Sequence, residues 1–262
     1  MVLRGSVSSL VLASVFTAGC AVEAVDPEIT AEARQEIRGF SVSLSNVVET
    51  IGLELVPTDE ADALVPDEFV LAGEGGPVTP IVVRTSHAGG ISVNGGTPTP
   101  GSVVQIGLAV APPDGTGDVN SYTLWYYTDH ALLAYKLLQA GFLAQYVPSL
   151  EYDLALSGGV GDLHVRVPFP GFPRLVVDGT VAAPSGPSAP FVANWWVSTW
   201  RGPVKQSTAI PDLFFGGADA TLETRAQSPL GALIGGSTAE FSVLDSYNEF
   251  STADVTVGLS PF

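Results

Sequence analysis

With 262 residues, 46% of them hydrophobic, the chain is long enough to bury a full core. Twenty-seven acidic residues against ten basic ones give a formal charge of −17, which leaves no basic face for phosphates and excludes nucleic acid as an expected partner. Only 14% of residues are charged, with 29 Gly and 20 Pro, a balance that predicts many short strands and turns rather than long solvent-facing helices.

The chain opens with Arg4, an apolar run from Val7 to Phe16, the small residues Thr17-Ala18-Gly19, and then Cys20, its one cysteine. That order reads as a secretory signal, and the apolar run is about half the ~20 residues a membrane-spanning helix needs. A small-residue site ending in cysteine resembles the lipobox of bacterial lipoproteins, although Thr17 stands where that motif usually has Leu. The resemblance implies cleavage before Cys20, lipidation of its thiol and attachment to the membrane through the acylated Cys20. Ala21, in place of the Asp that retains such proteins at the inner membrane, implies the outer membrane, on its periplasmic face or at the cell surface. The expected division is a signal peptide over 1–19, a lipidated tether and short helix over 20–39, and a single domain over 40–262. With Cys20 spent, no disulfide can help, and burial has to hold the exported domain together.

Thirteen acidic residues fall between Glu23 and Glu74, against Arg34 and Arg38 as the only bases there, which predicts a solvated, mutually repelling segment. Pro27 to Ile29 opens a short helix that Gly39 can end. Phe40, Val42 and Leu44 alternate as in a strand, then Val47-Val48 and Ile51 blur the period, leaving strand and helix both open. Pro77 to Arg84 leads into a strand, Gly89-Gly90 and Gly95-Gly96 cut the next stretch into short pieces, and Val103 to Val110 reads as another strand. The aromatic run Tyr122 to Tyr127 predicts a strand. Thr128-Asp129-His130 then caps a helix over Ala131 to Ala140, with Gly141 as its stop. Short strands are expected at Ser149–Leu156, Leu163–Val167, Leu175–Val177, Ala193–Thr199, Ala220–Thr224, Ala239–Leu244 and Val255–Leu259. Together they predict a mainly β (α+β) fold, a single antiparallel β-barrel flanked by a few helices.

Chemistry is sparse. His87, His130 and His164 have no paired metal-ligand spacing, and no calcium loop is present, since Asp114 to Asp118 reads as a surface turn; neither metal nor cofactor is expected. No GxSxG elbow, P-loop or dinucleotide fingerprint occurs. Asn194-Trp195-Trp196 is the richest aromatic cluster and a candidate lining for a ligand cavity.

From Tyr122 onward the order of features resembles the acetoacetate decarboxylase-like family over roughly residues 77 to 262. The matching pieces are the strand Trp125-Tyr126-Tyr127, Asp129 at the helix start, the helix Ala131 to Ala140, the string Gly216 to Glu223, and Ser228-Pro229-Leu230. The resemblance implies a cone-shaped closed barrel with helices around it. The family's decarboxylases carry an aromatic-Pro-Lys-Lys sequence after this helix, one lysine of which forms a Schiff base with a β-keto acid. Here Phe142 keeps the aromatic, but Leu143, Ala144 and Gln145 replace the proline and both lysines, and an amide forms no imine. Lys136 and Lys205 are the remaining lysines. Lys205 and Glu223 are the surviving catalytic candidates, and Tyr126, Phe142, Asn194, Trp195 and Trp196 the ligand-binding ones. The leading expectation is a lipid-anchored, non-catalytic envelope barrel that binds a small, partly apolar or carbonyl ligand. The alternatives are a decarboxylase-like lyase or isomerase acting on a carbonyl compound, and a structural lipoprotein that meets a partner through its acidic segment.

Overall fold

Apolar and β-branched residues dominate the segments between turns, and they pair into one large sheet. The computed structural model describes residues 39–73, 75–168 and 175–262, all within one compact unit, Ile37–Phe262. In chain order the elements are β1 (Phe40–Pro57), α1 (Thr58–Asp62), β2 (Val78–Val93), β3 (Thr99–Ala109), β4 (Val119–Thr128), α2 (Ala131–Ala140), β5 (Ala144–Tyr146) and β6 (Glu151–Ser157). They continue with β7 (Val160–Val167), β8 (Leu175–Ala182), β9 (Ala189–Val197), β10 (Val204–Thr224), α3 (Pro229–Leu233), β11 (Thr238–Glu240) and β12 (Leu244–Leu259). Cys20, the export signal and the helix expected before Gly39 lie outside the described residues.

The mainly β composition is as expected, but the single antiparallel barrel is not. The strands form one 12-stranded sheet in the order β12-β1-β2-β3-β4-β9-β10-β8-β7-β6, with β11 against β10 and β5 against β4. Two pairings, β4–β9 and β4–β5, are parallel. The N-terminal part of β10 pairs with β9 and its C-terminal part with β8, so the sheet runs on through β7 to β6, which ends the path. β12 also pairs with β10, which curls the first seven strands of the path around a common interior.

Local irregularities explain where the sequence pattern blurred. In β1, Asn46 sits at φ 51 and is left out of the pairing to both neighbours, with the register the same on either side of it. The inward set therefore passes from Val42 and Leu44 to Val47, Glu49 and Ile51, and the alternation changes phase without the strand ending. In β2 the strand runs through Gly89-Gly90 on a register shift between Ala88 and Ile91. β10 was expected only over its last five residues. Its register to β9 shifts between Ile210 and Leu213, which places Pro211, with no N–H to give, where the ladder is interrupted. At Gly216 a Cβ would meet the Ala182 carbonyl oxygen at 2.1 Å, so only glycine admits β8 this close.

The helix α2 forms over the expected residues for local reasons. His130 Nδ1 accepts the Leu133 N–H at 3.1 Å, and Gly141 ends the helix at φ 101. Asp129 is used differently from expectation: its Oδ1 accepts the Ser102 N–H at 2.7 Å and ties the helix start to β3. Leu133, Leu137 and Ala140 pack inward with Val42, Val103, Tyr126, Trp195, Val204 and Phe250. A second cluster on the other face of the sheet gathers Tyr127, Trp196, Tyr247, Leu163 and Leu222.

Asp245 of β12 accepts the Ala220 N–H at 2.6 Å while its other oxygen is buried without a partner. Burial, with the Asp219 carboxylate adding to it and the Ala220 N–H opposing, pushes its pKa up to about 6. The folded state thus holds this proton where the unfolded chain releases it, and the wild type loses stability as pH rises from about 4 to 6. Asp245→Asn keeps the acceptor and does not titrate. Its melting temperature should match wild type at pH 3.5 and exceed it at pH 7.5; equal values at both would refute the assignment.

Candidate functional site

The alternation of the strands around the curl aims a small polar set into an otherwise apolar interior. From β1 come Glu49, Ile51 and Leu53, and from β2 Val82, Arg84 and Ser86. From β9 and β10 come Phe191, Trp195, Gln206, Thr208 and Ile210, and from β12 Ser246 and Asn248. Glu49 and Arg84 are both buried, and Arg84 Nε donates to Glu49 Oε2. In the β1–β2 register Glu49 lies opposite Ser86 and Arg84 opposite Ile51, so the two charges meet on the diagonal that adjacent strands offer long side chains.

Arg84 borders two cavities. One, of about 20 Å³, lies under Leu133 and Leu137 of α2 beside Tyr126 and Gln206, room for a single water. The other, of about 140 Å³, is walled by Ile51, Val82, Trp195, Ile210, Leu213 and Phe215 and also touches Glu49, Thr208 and Asn248. A cavity of about 150 Å³ holds a benzene-sized molecule. Glu49 and Arg84 are the only charged side chains on either cavity among the described residues.

Five buried polar atoms on inward-facing residues lack a partner: Gln105 Oε1, Ser121 Oγ, Gln206 Oε1, Thr208 Oγ1 and Asn248 Oδ1. Such groups cost roughly 1–3 kcal/mol each when unpaired, and three of them, on Gln206, Thr208 and Asn248, border the cavities. Burial pushes the Tyr126 phenol well above its ordinary range, with Arg84 pulling the other way; Tyr126 is a neutral donor.

The ligand-binding candidates divide between the faces. Tyr126 and Trp195 line the cavities. Phe142 is fully buried in the same interior cluster but as packing beneath α2, its N–H bonded to the Leu137 carbonyl. Asn194 and Trp196 face the opposite side. There Asn120 Oδ1 accepts from Trp196 Nε1 at 2.9 Å and from Asn194 Nδ2 at 3.2 Å, a structural clasp between β4 and β9.

Neither catalytic candidate reaches the interior. Lys205 Nζ pairs with Asp114 Oδ2 and lies 5.3 Å over the Trp196 ring. Glu223 is exposed on β10. Lys136 lines neither cavity, and Ala144 and Gln145, at the family's lysine positions, lie on β5 against Tyr126 and Tyr127.

The residues that matter here, Glu49, Arg84, Gln206, Thr208 and Asn248, were missed in the sequence. One signal was present: Arg84 interrupts Ile81-Val82-Val83, a run whose burial on both faces leaves an arginine nowhere wet to go.

A buried ion pair rarely improves on apolar replacements, whereas losing one partner strands a charge. Arg84→Met should therefore destabilise the protein by about 3–5 kcal/mol in urea titration, while Glu49→Leu with Arg84→Met should restore stability to within about 1 kcal/mol of wild type. A double variant no better than the single one would show that the pair is a structural necessity.

No family model matches the chain, and no curated protein does. Solved structures of similar fold exist. Acetoacetate decarboxylase from Legionella pneumophila superposes with a TM-score of 0.53 at 14% identity, covering 83% of this chain and 85% of that one. A second acetoacetate decarboxylase gives 0.52 at 11% identity, covering 82% and 86%. The enduracididine biosynthesis enzyme MppR, complexed with the condensation product of pyruvate and imidazole 4-carboxaldehyde, gives 0.50 at 13% identity, covering 86% and 90%. The leading expectation of a lipid-anchored, non-catalytic envelope barrel is thereby corrected. The strands make a branched mixed sheet that shares its fold with these enzymes, and among the described residues no helix is long and apolar enough to cross a membrane. What this chain shares with those enzymes is the acetoacetate decarboxylase-like fold, as a distant structural relative.

Proposed function

We propose that this chain is a lyase or isomerase acting on a small carbonyl compound bound inside the curled sheet, with Glu49 as the group that moves the proton. The observation that carries this reading is the buried Glu49–Arg84 pair on the wall of a cavity large enough for a small organic molecule, among unpaired polar atoms. The distant fold relationship to enzymes of carbonyl chemistry supports the class of reaction and not its details.

The proposed chemistry rests on charge. Glu49 takes a proton from the carbon next to the carbonyl, and the C–H electron pair moves to make the enolate, its negative charge on oxygen. Arg84, released from its carboxylate partner by that proton, is then the counter-ion of the enolate, and the Thr208 hydroxyl is placed to donate a hydrogen bond. The site begins and ends the step with the same net charge, so no unpaired ion forms in a desolvated space. Return of the proton to a different carbon gives an isomer; cleavage of a bond at the far side of the enolate gives a lyase product. Imine chemistry is not part of this reading, because neither Lys136 nor Lys205 lines the cavities.

In deuterium oxide, the wild type should exchange the α-protons of a short methyl ketone, monitored by proton NMR, and Glu49→Gln should slow this about a hundredfold or more. Absence of exchange for ketones shown to bind would overturn the reading. Borohydride added to enzyme and ketone should leave Lys136 and Lys205 unmodified by peptide mass mapping; a reduced adduct would replace proton abstraction by an imine route.

A further inference from the structure

We infer that the substrate of the interior site is an uncharged ketone or aldehyde, not a keto acid. The inference rests on the reading of this interior as the catalytic site and goes beyond it by fixing the charge of what enters.

Arg84 is the one cation on either cavity among the described residues, and it is already matched by Glu49. A substrate carboxylate would enter a space whose charges sum to zero and leave it at −1, with both resident charges nearly shut off from water. To bind Arg84 it would have to displace Glu49, which then has nothing charged to pair with. Nothing else nearby makes up the deficit. Of the nearby phenols, Tyr126 lies beside Arg84 on the smaller cavity, while Tyr152 feels Glu49 from the opposite face of the sheet, where it packs against His87. Burial raises the pKa of both, so they stay neutral and supply no positive charge. Lys205 is engaged with Asp114 on the opposite face.

The rest of the site suits a neutral dipole. The walls of the larger cavity, with Ile51, Leu53, Val82, Trp195 and Leu213, are apolar, and its unpaired polar atoms on Thr208 and Asn248 are uncharged. A carbonyl oxygen accepts a hydrogen bond from the Thr208 hydroxyl, and a substrate hydroxyl or water donates to Asn248. Neither contact compensates an anion as a second guanidinium or an amine would. At about 140 Å³, the space takes a benzene-sized molecule or the ketone end of a somewhat longer one, and exposed Phe215 and Leu244 on its wall leave it a side open to solvent.

The test uses the full-length protein and three ligands of one skeleton: 2-pentanone, levulinate and methyl levulinate, titrated at pH 7.5 with Trp195 fluorescence and ligand-observed NMR. Both neutral compounds should bind at least tenfold more tightly than levulinate. Glu49→Gln, which removes the resident negative charge and leaves Arg84 unmatched, should shift the ratio of levulinate to 2-pentanone affinity at least tenfold toward levulinate. Levulinate binding as tightly as 2-pentanone to the wild type would overturn the inference and leave the enzyme reading standing. No binding by any of the three, together with no α-proton exchange, would overturn both. The wild-type comparison decides the matter even if the variant proves too unstable to purify.

Discussion

The structure depends on one strand having to satisfy two different sets of neighbours. β10 is 21 residues long, and as a strand with neighbours on both sides it has to find partners for its backbone groups along that length. Its first half is bonded to β9 on one side and β12 on the other, which holds the curled part of the sheet together. Its second half leaves β9 and takes up β8, which carries the sheet away to β7 and β6. The exchange happens across Ile210 to Gly217, where a proline without an N–H and two glycines without side chains remove what a continuous ladder would require. The enclosed interior and the extended wing are consequences of that one change of partner.

Because Glu49 and Arg84 are both buried within the curl, their charges have to be balanced there. Glu49 and Arg84 do this for each other, on adjacent strands and at a diagonal position that needs no backbone distortion. The same geometry puts Arg84 between the two cavities and Glu49 on the larger one, so that a molecule there meets a carboxylate and a guanidinium together. Apolar residues could fill this position at no loss of stability. That a charged pair sits there, next to open space and uncommitted polar atoms, is an argument from function.

What the sequence made legible was local. α2 was readable to the residue because its start, apolar side and glycine stop are all decided within a dozen positions, and β4 because its aromatic run admits little else. β10 was not readable, since Pro211 and Gly216-Gly217 are breakers in almost any other setting, and only the arrival of β8 explains them. The cavity residues were hidden for a different reason. Glu49 and Arg84 stand 35 positions apart, and each alone reads as a solvated surface charge, the more so for Glu49 in an acidic segment. The tryptophan cluster drew attention as a unit, yet strand alternation sends Trp195 into the cavity and Trp196 to the opposite core, so half of any such cluster is bound to be structural.

The missing lysines and the surviving ion pair belong to one electrostatic argument. A buried amine becomes a nucleophile when desolvation and a nearby cation lower its pKa, and an arginine does this only while its own charge is uncompensated. With Glu49 held against Arg84, the interior has no spare positive charge to lower the pKa of an amine. An interior without a lysine and an Arg84 neutralised by Glu49 are therefore electrostatically consistent with each other. In the proposed reaction the same pairing lets Glu49 act as the base, its proton uptake freeing Arg84 as an oxyanion appears, which couples the proton transfer to its own electrostatic compensation.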